Sequence, residues 1–137
     1  MEPDFAIVIE ATAAADLSND EEEEWVTELG KGPACSLIDS ATLYNPKLIR
    51  WVSETARRKG IPLQFRRGSR GGNDAGSIHV SKEGVPTIVL SVPCRYLHSP
   101  VSLISEKDYR AALDLVNELL IDLPRMFADV SVKEEHA

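Results

Sequence analysis

The chain has 137 residues, which is enough for one domain with its own hydrophobic core. Its 22 acidic residues outnumber its 15 basic residues and give a formal net charge of -7, which disfavours a nucleic-acid partner because like charges repel. No window approaches the roughly 20 apolar residues of a membrane helix, and the N-terminus has no basic signal-peptide region. We therefore expect one cytoplasmic domain that has no membrane partner.

The first predicted element is a buried strand over residues 5–10, FAIVIE, because the run is apolar until its last residue, Glu10. The acidic run that follows, which includes four consecutive glutamates, is typical of a solvated loop. A glycine turn then leads into PACSLID, residues 33–39, which is predicted to be a second strand. This pattern places Glu10 where a strand meets solvent.

The segment NPKLIRWVSETARRKG, residues 45–60, carries the clearest helix signal. Asn45 is typical of a helix cap, Pro46 fits a first turn, and Gly60 follows a basic last turn. Apolar residues recur along one face of this helix at Leu48, Ile49, Val52 and Ala56. The segment IPLQF, residues 61–65, is short enough to be a third strand.

The stretch from Gly71 to Pro100 holds a glycine loop, a short helix, an apolar strand and a histidine. Asp74 is predicted to cap the helix in DAGSIHVSKEG. PTIVLSV, which starts at Pro86, is predicted to be a buried strand of a parallel sheet that Pro93 closes. Ligands in open α/β sheets bind beyond the carboxyl ends of strands. The residues expected at that rim are Arg95, Tyr96, His98 and Ser99.

A last helix is predicted from Ser105 to Pro124, where the proline would end it. Its predicted apolar stripe consists of Tyr109, Ala112, Leu113, Val116, Leu119, Leu120 and Leu123. The sequence beyond this stripe has weak periodicity and is predicted to fray, so we assign residues 1–123 to the domain and 124–137 to a tail. The element order β, β, α, β, α, β, α predicts an α/β fold with a mixed or largely parallel sheet flanked by helices.

Glu10 and His98 are the candidate metal ligands. Each has an ordinary structural interpretation by itself, as a polar side chain that meets solvent at a strand end. Together, a carboxylate and an imidazole at the ends of two strands are ligand types that suit zinc, cobalt or manganese. Two ligands do not make a site, so the pair indicates metal binding without establishing it.

The glycine loop GGNDAG supplies candidates for the wall of a substrate cavity. Gly71 and Gly72 allow close approach of a backbone. Asp74 either caps its helix or faces the cavity, and Arg95 is a further candidate at the rim. The segment GSRGG is no phosphate loop, because no Gly-Lys-Ser/Thr sequence follows it.

His79, Cys35 and Cys94 are interpreted as structural residues. His79 lies inside a short predicted helix, where a packed or surface histidine is the ordinary case. Neither cysteine lies in a CxxC or a Cys/His cluster, so a disulfide framework or a zinc finger is unsupported. A nucleophilic Cys94 beside His98 is the alternative, but the sequence shows no environment that lowers a thiol pKa.

Several separate motifs occur in one order, namely IVIEATAAAD, LGKGP, GGNDAGSIH, EGVPT and SVPCRYLHSP. In these motifs the chain resembles the glutamyl and tetrahedral aminopeptidase family of dinuclear metallopeptidases, some members of which were labelled endoglucanases. The resemblance runs from about Phe5 to Leu123 and implies a zinc-peptidase-like fold. It implies that Glu10, where some members carry aspartate, binds one of two divalent ions and that His98 binds the other. Zinc or cobalt is the implied metal.

The resemblance also implies that parts of the complete site lie outside this chain. Family members precede this region with a metal-binding histidine, a bridging aspartate and a glutamate pair that includes the general base. The inserted smaller β-rich domain that helps these enzymes assemble into large shells is also absent from this chain. The implied reaction is metal-assisted hydrolysis of an N-terminal peptide bond. We therefore expect the C-terminal part of a catalytic domain, which contains none of the catalytic residues, binds metal weakly if at all, and is silent alone.

Three functions remain open on the sequence. The first is a portion of a metallo-aminopeptidase that works only in a longer or complemented form, and the second is a non-catalytic remnant that acts as an interaction module. The third is glycoside hydrolysis, which is disfavoured because it needs a positioned carboxylate pair and sugar platforms, whereas only 6% of residues are aromatic. An incomplete domain exposes sheet edges, so we expect self-association or pairing with the missing N-terminal half.

Overall fold

The computed structural model describes residues 3–16 and 26–134 of the chain, with side chains described up to residue 127. The acidic run that the sequence predicts as a solvated loop lies mostly outside these residues, as do residues 135–137. The described elements in chain order are β1 (Ala6–Ala13), β2 (Ala34–Cys35), α1 (Pro46–Lys59), β3 (Gln64–Phe65), α2 (Ala75–Ile78), β4 (Thr87–Arg95), β5 (Leu103–Ile104) and α3 (Glu106–Glu134).

A mixed sheet organises these elements. Its strand order is β1-β4-β2-β3, and β5 pairs with the far end of β4. Strands β1 and β4 are parallel, with Ala6 opposite Thr87 and Ala13 opposite Cys94. Strand β2 is antiparallel to β4 and parallel to β3. The predicted α/β fold with a mixed sheet and flanking helices is confirmed.

Strand β4 is the centre of the sheet, and its first eight residues are buried. The prediction that Pro93 closes this strand is wrong, because β4 continues to Arg95. Strand β2 pairs with Leu90 and Ser91 of β4, and β5 pairs with Cys94 and Arg95. Pro93 therefore lies in the gap between these two partners, where its missing N–H removes no ladder hydrogen bond.

Strand β1 lies at the edge of the sheet and is longer than the sequence indicates. The prediction that Glu10 is its last residue is wrong, because residues 11–13 continue to pair with residues 92–94 of β4. Partner hydrogen bonds thus extend a strand through small residues that have little strand propensity of their own. Burial is also less than predicted, since Ile9 is 58% exposed.

The other predicted strands are shorter than their apolar segments. Strand β2 keeps only Ala34 and Cys35 of residues 33–39, and β3 keeps only the last two residues of 61–65. After β2 the chain turns away from the sheet, and an isolated bridge joins Ile38 to Leu43. Apolar composition therefore overestimated the lengths of β2 and β3, which pair with other strands over only two residues each.

Helix α1 confirms its predicted cap and end. The Asn45 side chain accepts a hydrogen bond from the Lys47 N–H at 2.9 Å, and Gly60 has the left-handed conformation at φ 65°. Its buried face consists of Leu48, Val52, Thr55 and Ala56. Helix α2 is a single turn, and the prediction that Asp74 caps it is wrong because that side chain makes no capping bond. The Asn73 side chain accepts from the Ala75 N–H instead, at 2.8 Å.

Helix α3 differs from its prediction in two respects. Pro124 does not end it, because the helix continues to Glu134 and the burial of Met126 against the core offsets the lost hydrogen bond. The predicted apolar stripe is wrong at Tyr109, Leu113 and Leu120, which are each about half exposed. The buried face consists of Asp108, Ala111, Ala112, Leu115, Leu119 and Met126. The boundary at residue 123 coincides with no break in this helix, and the fraying of residues 124–137 stays a prediction.

Two apolar clusters lie on opposite faces of the sheet. Helices α1 and α3 cover the face that contains Ile88 and Leu90 of β4. The opposite face carries a smaller cluster of Tyr44, Ala75 and Val89, which Ile49 of α1 also reaches. Within the described ranges, no helix is long and apolar enough to cross a membrane.

Candidate functional site

A cavity of about 330 Å³ lies at the carboxyl ends of β1 and β4. The end of β1 and the segment after β4 form two of its walls, and the glycine loop forms a third. Its lining includes Glu10, Thr12, Asp39, Arg66, Arg70, Gly71, Gly72, Asn73 and His98. The fold thus places both candidate metal ligands, and both loop glycines, on the walls of one cavity.

Glu10 reaches this cavity because alternate residues of β1 point to opposite faces of the sheet. Its neighbour across the strand pair is Ser91, whose hydroxyl donates to Glu10 Oε1 at 3.4 Å. Partial burial raises the pKa of Glu10, while the Ser91 hydrogen bond and the charge of Arg66 oppose that rise. Burial therefore disfavours the free carboxylate, and a cation beside it would relieve part of that cost.

His98 lies just beyond β4 on a backbone of unusual conformation. Its φ is 64°, and Tyr96 nearby has a φ of 61°. The Ser99 N–H donates to the Tyr96 carbonyl at 3.1 Å and closes this turn. Left-handed conformations are uncommon for residues other than glycine and cost on the order of 1 kcal/mol, and they concentrate at functional sites.

Asp39 is a cavity residue that sequence reasoning missed. Its Oδ1 accepts from the N–H groups of Ala41 and Thr42 at 2.8 Å each, and its Oδ2 accepts from the Tyr44 hydroxyl at 2.5 Å. The Asn73 side chain also donates to Oδ2, at 2.8 Å. Aspartate that accepts from the backbone two and three residues later is typical of a turn, and that local signal could have found it.

These hydrogen bonds attach the glycine loop to the loop that follows β2. The Ser40 N–H donates to the Gly71 carbonyl at 2.9 Å. A Cβ atom at Gly72 would lie 3.0 Å from the Ser40 hydroxyl, and one at Gly76 would lie 2.9 Å from the Ala41 Cβ. The close approach of Ala41 leaves no room for a Cβ atom at Gly76 in α2, which is a structural reason for that glycine, whereas at Gly72 the Ser40 side chain would have to shift by a few tenths of an ångström.

The electrostatics of this connection favour an ionised Asp39. Burial alone would raise the pKa of Asp39, but the hydrogen bonds from Tyr44, Ala41, Thr42 and Asn73 outweigh it and lower that pKa. Burial and the Asp39 carboxylate in turn raise the pKa of Tyr44 to about 12. The cavity wall is thus held by a charged carboxylate and a neutral tyrosine.

Arg66 is a second cavity residue that the sequence did not single out. Its Nε donates to the Thr12 hydroxyl at 3.2 Å, and its terminal nitrogens donate to the carbonyls of Gly68, at 3.2 Å, and Arg70. Arg66 thereby fastens the loop after β3 to β1, next to Glu10. Because the contact with Thr12 joins residues 54 positions apart, no local motif indicates it.

Comparison with known proteins identifies the family. The family model of the M42 glutamyl aminopeptidases matches residues 1–115. The chain belongs to the M42 family. The lysyl aminopeptidase of Pyrococcus furiosus is 36% identical over 127 residues, which are 92% of this chain and 35% of that protein.

Solved structures show the same fold. An aminopeptidase from the archaeon Desulfurococcus kamchatkensis has a TM-score of 0.82 at 36% identity, over 85% of this chain and 34% of that one. The TET1 peptidase of Pyrococcus horikoshii, which can assemble into a tetrahedron or a large octahedral shell, has a TM-score of 0.70 at 31% identity. That match covers 85% of this chain and 33% of that one. The chain spans about a third of the length of the relatives it matches.

Two residues predicted for the cavity lie elsewhere in this M42 chain. The Arg95 guanidinium pairs with Asp16 through a contact of 2.8 Å, and Asp16 also accepts from the Leu29 N–H at 2.8 Å. The hydrogen bond between Arg95 and Asp16 lowers the pKa of Asp16. Arg95 is not among the described residues that line the cavity, and neither is Asp74, although the Asp74 charge helps to raise the pKa of Glu10.

Three other candidates have structural surroundings. The His79 ring nitrogen Nδ1 lies 2.8 Å from the Ala75 carbonyl of its own helical turn. Cys35 and Cys94 are buried free thiols, as predicted. Burial raises the pKa of Cys35 to about 12, which makes it a poor nucleophile at neutral pH.

The metal-binding capacity of the described residues is incomplete. Glu10 and His98 supply a carboxylate and an imidazole, which are types that zinc binds. A catalytic zinc site needs three protein ligands, and within residues 3–16 and 26–127 no group of three or more His, Cys, Asp or Glu could hold a metal ion. The residues present here therefore do not by themselves fit the metal pair that the M42 resemblance implies.

Proposed function

We propose that this chain is part of the catalytic domain of a metal-dependent aminopeptidase, that it acts on N-terminal peptide bonds, and that it is inactive without the remaining part. The supporting observation is that Glu10 and His98 line the same cavity in a chain of the M42 family. The named relatives support a peptidase, since the Pyrococcus furiosus protein is a lysyl aminopeptidase. Neither residue is a catalytic acid or base in this proposal.

In the complete enzyme Glu10 would supply a ligand to one divalent ion and His98 a ligand to the other. When bound, two zinc or cobalt ions would polarise the scissile carbonyl and activate water. The other ligands and the general base would come from outside this chain. Gly71 and Gly72 add no side chains to the glycine-loop wall of the cavity, so a peptide backbone could lie against that part of the wall.

The proposal includes a partner and a location. The chain would pair with the missing part of its own domain, and larger assemblies of the kind that the TET1 peptidase forms would require that part first. A cytoplasmic location is supported by the two free thiols, which a reducing compartment would maintain.

Metal titration and peptidase assays test the proposed inactivity. Calorimetry with zinc and with cobalt should show weak binding or none to the purified chain, because one ligand per metal is too few. Aminoacyl p-nitroanilides should release no p-nitroaniline. Two tight metal sites per chain would contradict the proposal, as would turnover that survives metal-free repurification and disappears in His98→Ala.

The DNA next to the coding region tests the partner. An adjacent reading frame that encodes a metal-binding histidine, a bridging aspartate and a glutamate pair would support a split enzyme. A locus without such a frame would favour the alternative of a non-catalytic remnant that acts as an interaction module.

A further inference from the structure

Two arginines on the wall of the cavity have no carboxylate partner among the described residues. Arg66 and Arg70 both line the cavity. Within residues 3–16 and 26–127 neither forms a salt bridge, although the chain has 22 acidic and only 15 basic residues. The described arginines that do pair with a carboxylate are Arg58, Arg67, Arg95, Arg110 and Arg125. A guanidinium that lacks such a partner at a cavity wall is a candidate to bind an anionic ligand.

Both arginines keep hydrogen-bond donors that the described residues do not use. A guanidinium carries five N–H donors and no acceptor. Arg66 donates to the Thr12 hydroxyl and to the carbonyls of Gly68 and Arg70, and the remaining donors of its terminal nitrogens are left for a ligand. The exposed Arg70 side chain donates to none of the described residues. Arg66 is therefore fixed by its contacts, whereas Arg70 can turn toward a ligand.

The carboxylates of the cavity do not take up these donors. Asp39 accepts its hydrogen bonds from neutral groups, which are two backbone N–H groups, the Tyr44 hydroxyl and the Asn73 amide. Glu10 accepts from the Ser91 hydroxyl. The cavity therefore carries carboxylate groups and guanidinium groups that are not hydrogen-bonded to each other. A peptide, which has an N-terminal ammonium and one or more carboxylates, complements both kinds of charge.

The distance between the two kinds of charge fits a short stretch of peptide. Arg66 Nε lies 3.2 Å from the hydroxyl of Thr12, which is two residues after Glu10 on the same face of β1. Two such positions have Cα atoms about 6 to 7 Å apart. An extended peptide advances about 3.5 Å per residue. If the N-terminus of a peptide lies beside Glu10, the carboxylate of its first side chain or of its second or third residue reaches the arginines.

We propose that Arg66 and Arg70 form a carboxylate-binding subsite of the cavity, which holds a carboxylate of the peptide whose N-terminus lies beside Glu10. This inference rests on the proposed function and names the substrate class. The substrates are peptides with an acidic N-terminal side chain or short peptides with a free C-terminal carboxylate. Arginine suits this role because its planar fork can donate two parallel hydrogen bonds to one carboxylate.

Three dipeptides test the subsite and separate the two sources of the carboxylate. Glu-Ala amide has only an acidic side chain, Ala-Ala has only a C-terminal carboxylate, and Ala-Ala amide has neither. Binding to the purified full chain is measured from the NMR shifts of the Gly71 and Gly72 amides at low ionic strength, because salt screens exposed charges. We expect Glu-Ala amide, Ala-Ala or both to bind about ten-fold more tightly than Ala-Ala amide. The tighter ligand identifies the source of the carboxylate, and equal binding of all three overturns the proposal.

Arg70→Gln is the variant that tests the residue assignment. The Arg70 side chain makes no hydrogen bond with the described residues, so the change removes a charge without breaking a contact of the fold. It should weaken binding of the carboxylate peptides by about five-fold or more and leave Ala-Ala amide unaffected. Arg66→Lys, which keeps the charge but loses the fork, should weaken the same peptides. Unchanged affinities in both variants would overturn the proposal.

Arg57→Gln is the matched control. Arg57 is exposed in the last turn of α1, forms no salt bridge with the described residues and is not among those that line the cavity. The change removes the same charge from the chain as Arg70→Gln and should leave every affinity unchanged. An equal loss in Arg57→Gln would mean that the overall charge, and not a subsite, attracts the carboxylates.

Peptidase activity separates this inference from the proposed function. The assay uses the chain co-expressed with the portion of the Pyrococcus furiosus lysyl aminopeptidase outside its 127 matched residues. If the chain selects carboxylates through Arg70 but this combination hydrolyses none of the peptides, the subsite stands and the aminopeptidase proposal is refuted. If it hydrolyses all three peptides equally and Arg70→Gln changes nothing, the aminopeptidase proposal stands and the subsite is refuted.

Discussion

Strands β1 and β4 are similar in sequence and opposite in surroundings. Both are apolar runs, FAIVIE and PTIVLSV, and they pair in parallel over eight residues. Eight of the nine residues of β4 are buried, whereas only one of the eight residues of β1 is. The comparison teaches that an apolar sequence shows only that a strand is suited to burial. Whether its side chains are buried depends on the neighbouring strands and helices.

The difference arises from the number of neighbours that each strand has. Strand β4 has β1 on one side and β2 and β5 on the other, and α3 packs on its face. Strand β1 has only β4 as a described partner strand. Its apolar side chains at Ile7 and Ile9 lie progressively farther from Phe5, which packs against Trp51 and Phe127. On the face of Ile7 and Ile9, cover over β1 therefore ends near the beginning of the strand, whereas Thr12 on the other face is buried.

Leucine and isoleucine truncations on the two strands should give the largest contrast. Leu90 is 0% exposed and Ile9 is 58% exposed, although they lie opposite each other in the register. We expect Leu90→Ala to lower the free energy of unfolding by about 3 to 4 kcal/mol, because it leaves a cavity in the core. Ile9→Ala should cost less than about 1 kcal/mol in the chain alone.

Urea denaturation of the two variants measures this difference. Similar losses at both positions would show that β1 is covered in solution, for example by another chain. If the proposed partner is added, the cost of Ile9→Ala should rise toward that of Leu90→Ala, because the partner buries Ile9. The increase in the cost of Ile9→Ala would then measure how far the partner buries Ile9.

The sequence predicted the elements whose signals are local. Helix α1 was predictable because Asn45, Pro46 and Gly60 act on the backbone next to them. The true ends of β1, β4 and α3 were not predictable, because long-range contacts determine them. Pairing with β4 carries β1 past Glu10, and the gap between β2 and β5 lets β4 continue past Pro93. Core packing carries α3 past Pro124. Tertiary contacts at these positions override the local preference of the residue.

The candidate site likewise contains residues that sequence motifs predict and residues that only long-range contacts bring together. Glu10, His98 and the loop glycines followed from sequence motifs, and the fold places them around one cavity. The contacts of Asp39 with Asn73 and of Arg66 with Thr12 join residues 34 and 54 positions apart. Such contacts have no local pattern, and they could be found only in three dimensions.

Asp39 holds one wall of the cavity, and replacing it should have a smaller effect than replacing Leu90. The wall next to β4 and α2 is held by hydrogen bonds within the chain, centred on Asp39. We expect Asp39→Asn to lower the free energy of unfolding by about 2 kcal/mol near neutral pH, because an amide cannot accept all four hydrogen bonds. Asp114→Asn, at an exposed position on α3, should change it by less than about 0.5 kcal/mol.

The effect of Asp39→Asn should also depend on pH. The folded-state pKa of Asp39 is lowered from its ordinary value of 3.8, so its contribution to stability is present above that value. The contribution is lost as the pH falls through the lowered folded-state pKa, because protons then bind both states. Unfolding measured from pH 7 to below pH 3 should therefore show the wild-type chain and the variant converging at the acid end. A constant difference would mean that Asp39 is not the titrating group.

The smallest effect is expected at His98, which follows the buried strand β4. A left-handed residue can be held there because β4 is anchored on both sides, and its φ of 64° favours glycine. His98→Gly should therefore be more stable to urea than His98→Ala by about 1 kcal/mol, since alanine retains the strain and glycine removes it. At Asn117, an exposed position inside α3, the order should reverse, with alanine more stable than glycine by about 1 kcal/mol. Equal stabilities for the two His98 variants would show that the turn carries no strain in solution. The predicted gain with His98→Gly would instead show that the protein keeps a histidine at this position at the expense of stability, as a residue retained for binding would require.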